Sequence, residues 1–332
     1  MKQVKFITGL MAFGVVSLFA GCGEKENEMT KVTLNEVAHS IFYAPQYVAL
    51  ENGYFTQEGI DLDLVTGYGA DKTMAAVISG EAQIGFMGAE ASVYAYLEGA
   101  NDPVLNFAQG TQRAGNFLVA REEMADFQWS NLKGKEVLGG RKGGMPEMVF
   151  EYILKENGLD PAKDLSIDQS IDFGSTAAAF SGGKGEFTVE FEPAATTLEK
   201  NGDGFVVASL GVDSGYVPYT SYSAKTSYVE KHPEIIQAFT DGLQKGVDYV
   251  NSHTAEEIAK VIQPQFKEND LDTITRIVER YQSQDTWKEN LVFEKESFEL
   301  LQDILESAGE LEKRADYEKL VTTIYAKEAM KK

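Results

Sequence analysis

Short apolar runs alternate with segments of helical period through most of the chain, and that alternation narrows the fold more than any other feature. Val32–Ala38 reads as a strand and Tyr43–Asn52 as a helix closed by Gly53. Leu62 and Leu64 alternate in the next strand. Asp71–Ser79 reads as a short helix, and Ile84–Met87, Val104–Ala108 and Phe117–Ala120 as strands. Glu136–Gly139 followed by Pro146–Asn157 repeats the strand–helix order, and Thr188–Phe191 and Phe205–Ser209 are further strands. From Pro233 the pattern turns helical, with Ile235, Ile236, Phe239, Leu243, Val247 and Val250 on one face. Two more helices carry Leu271, Ile274, Val278 and Tyr281, then Phe298, Leu301, Leu305 and Ala308. The expectation is an α/β fold with mostly parallel sheets.

The alternation repeats itself. Ala75–Gly80 (AAVISG) matches Ala177–Gly182 (AAAFSG) at an offset of 102, and the same offset places Glu90 on Glu192. Glu51-Asn52-Gly53 is echoed by Glu156-Asn157-Gly158. In each half a short helix ends at Ser-Gly and leads to a strand whose carboxyl end carries a glutamate. With 332 residues, two similar α/β lobes fit better than one large sheet. Ligands of open α/β sheets bind beyond the carboxyl ends of the strands, so both glutamates would face a cleft between lobes.

The N-terminus reads as an address. Lys2 and Lys5 precede an apolar run, Phe6–Ala20, too short for a membrane span and suited to a secretory signal. Leu18-Phe19-Ala20-Gly21-Cys22 resembles the bacterial lipoprotein cleavage box, and Cys22 is the only cysteine in the chain. That resemblance implies cleavage after Gly21 and a lipid on Cys22, with residues 22–30 as a polar tether. A single cysteine allows no intrachain disulfide and no cysteine metal cage. The formal charge of −22 repels phosphate backbones, so nucleic acid is a poor partner.

Several segments carry a family resemblance. Asn52–Leu62 (NGYFTQEGIDL) is similar to the "kGyFkeeGldv" signature of periplasmic-binding-protein-like receptors, in the SsuA-like and thiamine-pyrimidine-precursor-binding group. Ala44–Ala49 (APQYVA) resembles its "aPlyvA" helix, and Ile78–Gly88 its "l.sGeiDig..G" segment, with Gln83 where Asp is usual. Leu132–Pro161, Glu192-Pro193 and Glu230–Asn251 follow in the family's order. The resemblance implies a two-lobe, type II binding-protein fold. Residues 31–119 and 223–332 would form the first lobe and 120–222 the second, with crossings near Phe117–Arg121 and Tyr219–Ser223. It further implies an ABC importer as partner, to whose permease the protein delivers a small solute; with the lipid on Cys22 the expectation is an extracytoplasmic, lipid-anchored monomer with no cofactor and no metal.

Candidate contacts lie at the expected cleft. His39, Phe42 and Tyr43 follow the first strand, where aromatic faces stack on a planar ligand, or where Phe42 is a core anchor and His39 a turn residue. Tyr68 sits between two glycines, poorly placed for core packing, while Asp71 suits a helix N-cap. The Arg141-Lys142-Gly143-Gly144 turn precedes a helix, a setting for an anion or simply a tight turn with solvated cations. Arg113 is either a partner for a ligand acid or a surface residue. Glu190 and Glu192 share one strand face by period two, where they either face solvent, a reading that fits Glu190 as well, or join Glu90 in accepting from a solute with N–H donors. Glu192 is the expected anchor.

An aminopyrimidine thiamine precursor, or a similar planar nitrogen compound, fits that set. The alternative is an anion of the sulfonate, taurine or nitrate type, for which the Arg141-Lys142 loop argues. An enzyme is the reading from another class. The sequence has no Gly-x-Ser-x-Gly elbow, and it lacks the cysteine-rich motif of thiamine-pyrimidine synthases.

Overall fold

The computed structural model describes residues 29–332 apart from 141 and 172. The expected leader, Cys22, most of the expected tether and Arg141 lie outside the described residues. Ten strands form among the described residues: β1 Thr30–Glu36, β2 Ile60–Thr66, β3 Ile84–Met87, β4 Val104–Thr111, β5 Asn116–Ala120, β6 Glu136–Leu138, β7 Ser166–Asp168, β8 Phe187–Phe191, β9 Phe205–Ser209 and β10 Thr220–Lys225. They make two five-stranded sheets, ordered β2-β1-β3-β10-β4 and β7-β6-β8-β5-β9. Each sheet is parallel apart from one strand in its fourth place: β10 in the first and β5 in the second. The two sheets share one plan, as the repeat at offset 102 leads one to expect. The α/β, two-lobe expectation holds.

Two boundaries move. The tether was expected to reach residue 30, but Thr30 already pairs with Ile60, and its amide donates to the Gly59 carbonyl at 2.8 Å. The chain leaves the first sheet at Thr111 and enters the second at Asn116; it returns between Asp213 and Thr220. Phe117–Arg121 therefore belongs to β5 and its end, and Tyr219–Ser223 mostly to β10. The crossings are residues 112–115 and 214–219. They bond to each other, Val217 N to Gln112 O at 2.9 Å.

Helix Pro233–Ser252 shows how the core is closed. Its apolar face buries Ile236, Phe239, Leu243, Val247 and Val250, each worth roughly 1.5–3 kcal/mol of transfer free energy. It packs on helix Ala44–Glu51 because Gly246 lets the Pro45 carbonyl approach; a Cβ there would stand 2.2 Å from that oxygen. The C-terminal helices do more than complete the first lobe. Helix Leu271–Ser283 sends Arg280 to Glu192 and Glu199 of the second lobe. Helix Lys295–Ala308 packs on helix Met145–Glu156, with Lys155 donating to the Ser307 carbonyl. Residues 271–308 thus touch both lobes. No helix among the described residues is long and apolar enough to cross a membrane.

Candidate functional site

The carboxyl ends of the two sheets face one cavity of about 780 Å³. From the first lobe its wall takes residues 37–40 after β1, Tyr68–Lys72 after β2, Gly88 and Glu90 after β3, and Tyr43, Tyr219 and Thr220. From the second it takes Gly144–Pro146 after β6, Gly174, and Glu190–Ala194 at the end of β8. This is where parallel α/β strands present loop backbone and helix N-termini to a ligand.

Glu36, at the end of β1, fixes the floor beneath His39. Its carboxylate is fully buried and accepts from four side chains: His39 Nδ1 at 2.9 Å, Gln46 Nε2 and the Tyr47 hydroxyl at 2.8 Å each, and Thr66 Oγ1 at 3.1 Å. His39 Nε2 lies 2.9 Å from the Gln265 carbonyl. Both ring nitrogens face acceptors, so the arrangement suits an imidazolium donating from each. The hydrogen bond to Glu36 raises the His39 pKa above its ordinary value. His39 also stacks on Phe266 at 4.8 Å. It lines the cavity as a strut whose polar atoms are already engaged.

Glu190 and Glu192 differ sharply. Glu192 is on the wall, but its carboxylate accepts from Thr196 N at 2.9 Å, Thr196 Oγ1 at 3.0 Å and Arg280 Nη1 at 2.5 Å. Its backbone carbonyl accepts from Ser40 Oγ of the first lobe at 3.1 Å. The expected free anchor at Glu192 is instead a brace between lobes. Glu190 is 1% exposed and accepts from Thr188 Oγ1 at 2.6 Å and from the Thr176 hydroxyl. No ion pair reaches it among the described residues, and burial pushes its carboxyl up to about 7.

The other expected contacts sort by position. Tyr43 and Tyr68 line the cavity, Tyr43 buried and Tyr68 75% exposed at the mouth. Tyr68 holds a positive φ of 56° between Gly67 and Gly69. Glu90 lines it from the first turn of helix Glu90–Leu97, past the strand end where it was expected. Gly88 makes room for it: a Cβ there would stand 2.1 Å from Glu90 Oε2. Gly144 lines the cavity, while the Gly143 amide donates to Glu147 Oε2 at 3.0 Å.

Phe42 and Arg113 are corrected. Phe42 is fully buried against Tyr43, Tyr219, Phe191 and Tyr281, and its ring fills the space over Gly115, where a Cβ would meet it at 2.6 Å. Arg113 donates from Nη1 to the Gly211 carbonyl at 3.0 Å and stacks on Tyr216 at 4.2 Å. It ties one crossing to the other and does not line the cleft. Sequence reasoning missed Lys72, Met145 and Tyr219. Met145 adjoins the Gly-Gly turn it did single out. The Tyr219 hydroxyl is buried and has no hydrogen-bond partner among the described residues.

The NMT1/THI5-like family model matches residues 41–257. "Putative binding protein YtlA" of Bacillus subtilis (strain 168) is 46% identical over 302 residues, covering 91% of this chain and 90% of that protein. Among solved structures, a ligand-binding component of an ABC-type import system from Staphylococcus aureus, with zinc bound, aligns with a TM-score of 0.74 at 17% identity. That alignment covers 91% of this chain and 99% of the other. The alkanesulfonate-binding protein SsuA from Xanthomonas axonopodis pv. citri, bound to MOPS, gives 0.72 at 16% identity over 89% of this chain and 99% of its own.

Proposed function

The chain belongs to the NMT1/THI5-like family, and from that premise we propose that it is the extracytoplasmic solute-binding lipoprotein of an ABC importer. The observation that carries this reading is the cavity shared by two like sheets and joined by two short crossings. A solute lands on one lobe, the crossings at 112–115 and 214–219 flex, and the second lobe closes over it. The liganded form then docks on the permease. Micromolar affinity, about −8 kcal/mol, suits capture followed by release.

The best-fitting solute is a planar nitrogen compound such as an aminopyrimidine thiamine precursor. Tyr43 and Tyr219 offer aromatic walls, and Glu190 accepts hydrogen bonds. An anion of the sulfonate or nitrate type is the second reading. Lys72 on the wall and the N-terminus of helix Met145–Glu156 favour it. Small-angle scattering tests the receptor itself. The radius of gyration should fall on adding the solute released from purified protein, and an unchanged profile at saturation would sink the closing mechanism.

Anchoring through Cys22 rests on the LFAGC box. Cys22→Ala should abolish incorporation of labelled palmitate and release the protein from the membrane fraction. Equal label in the variant would refute the anchor.

A further inference from the structure

Resting on that receptor reading, we propose that the solute binds as an organic cation, with a protonated nitrogen set on Glu190 and its flat body against Tyr43 and Tyr219. Such a solute carries the charge opposite to that of a sulfonate. Glu190 is buried on the cavity wall, and among the described residues the groups on its carboxyl are the Thr188 and Thr176 hydroxyls. A carboxylate so placed is costly unless a positive charge meets it. The neighbouring wall carboxylate shows the contrast: Glu192 already has Arg280, and so needs none from a ligand. Glu192, just past the end of β8, is taken up by the fold, and Glu190, within the strand, is left to the cavity.

Tyr219 supplies an independent observation. Tyr219 lines the same cavity, and its hydroxyl is buried without a hydrogen-bond partner among the described residues. Its ring, at the end of the returning crossing, and that of Tyr43 of the first lobe border the cavity that Glu190 of the second lobe also lines. A cavity lined by both aromatic rings and a carboxylate suits an organic cation, since ring faces carry negative potential. Burial pushes the Glu190 carboxyl up to about 7, which agrees with a site waiting for charge rather than one already balanced.

Three probes of one shape separate the charges: benzamidinium, benzamide and benzoate. Calorimetry on the wild-type protein, stripped of solute by unfolding and refolding, should show benzamidinium binding at least about tenfold tighter than benzamide, with benzoate weakest. Glu190→Gln should erase the preference, and Glu190→Asp should keep part of it. Tighter binding of benzoate, equal binding of all three, no binding of benzamidinium, or a preference untouched by Glu190→Gln would each overturn the proposal. A neutral or anionic solute released from the purified protein would overturn the charge assignment and leave the receptor reading standing. A purified protein that yields and takes up no organic solute overturns both.

Discussion

Glu36→Ala should cost the protein about 3–5 kcal/mol, the range for removing one partner of a buried charged pair. Four donors lose their acceptor at once: His39, Gln46, Tyr47 and Thr66. Gln46 and Tyr47 are buried, so water cannot replace the lost bonds without opening the floor of the cleft. The effect carries a pH signature. Hydrogen bonding to Glu36 raises His39 above 6.5, so its stabilising share is full below that value and fades as pH climbs through the raised one. Urea titrations at about pH 6 and about pH 9 should therefore show the wild type losing part of its stability across the interval. The variant should be less stable throughout and should lack that histidine-linked part. A wild-type stability in Glu36→Ala would refute the role of the network.

Arg280→Ala should be nearly as damaging. Arg280 donates to Glu192 Oε1 at 2.5 Å and Glu199 Oε2 at 2.7 Å, and the Glu192 side chain is 0% exposed. Without the guanidinium, Glu192 is a buried carboxylate held by Thr196 alone, and the expected loss is about 3 kcal/mol. Arg280→Lys should recover only part, because an ammonium cannot reproduce the planar fork. Arg276 touches the same Glu199 at 3.4 Å but is 52% exposed, so Arg276→Ala should change stability by less than about 1 kcal/mol. Because the bridge spans the lobes, Arg280→Ala should also loosen the crossings, read as faster amide exchange at residues 112–115 and 214–219. Equal losses for Arg276→Ala and Arg280→Ala would mean that burial of Glu192 plays no part.

Much of the architecture was legible because it depends on local pattern. Apolar alternation placed most strands within two residues of where they form, and the repeated Ser-Gly helix ends marked two like sheets. Position at a strand's carboxyl end also placed Tyr43, Tyr68, Glu90, Gly144 and Glu190 on the cavity. What stayed hidden was set by partners remote in sequence. Period two puts Glu190 and Glu192 on one face, but nothing near them announces that Arg280, 88 residues on, will claim one and leave the other. For Phe42 the local sequence leaves stacking on a ligand and anchoring the core equally open; Gly115, a residue without a side chain, gives its ring a place in the core. Arg113 found the Gly211 carbonyl, 98 residues away and just before the returning crossing. Strand ends show in local sequence; which polar side chains are already satisfied depends on tertiary contacts.

Native mass spectrometry of the protein purified gently from the cells that make it tests the central claim most directly. The expected result is a complex of one chain with one small organic molecule, collapsing to the bare mass after unfolding and restored when the refolded chain meets an extract of the same cells. A bare mass before and after that exposure would contradict it.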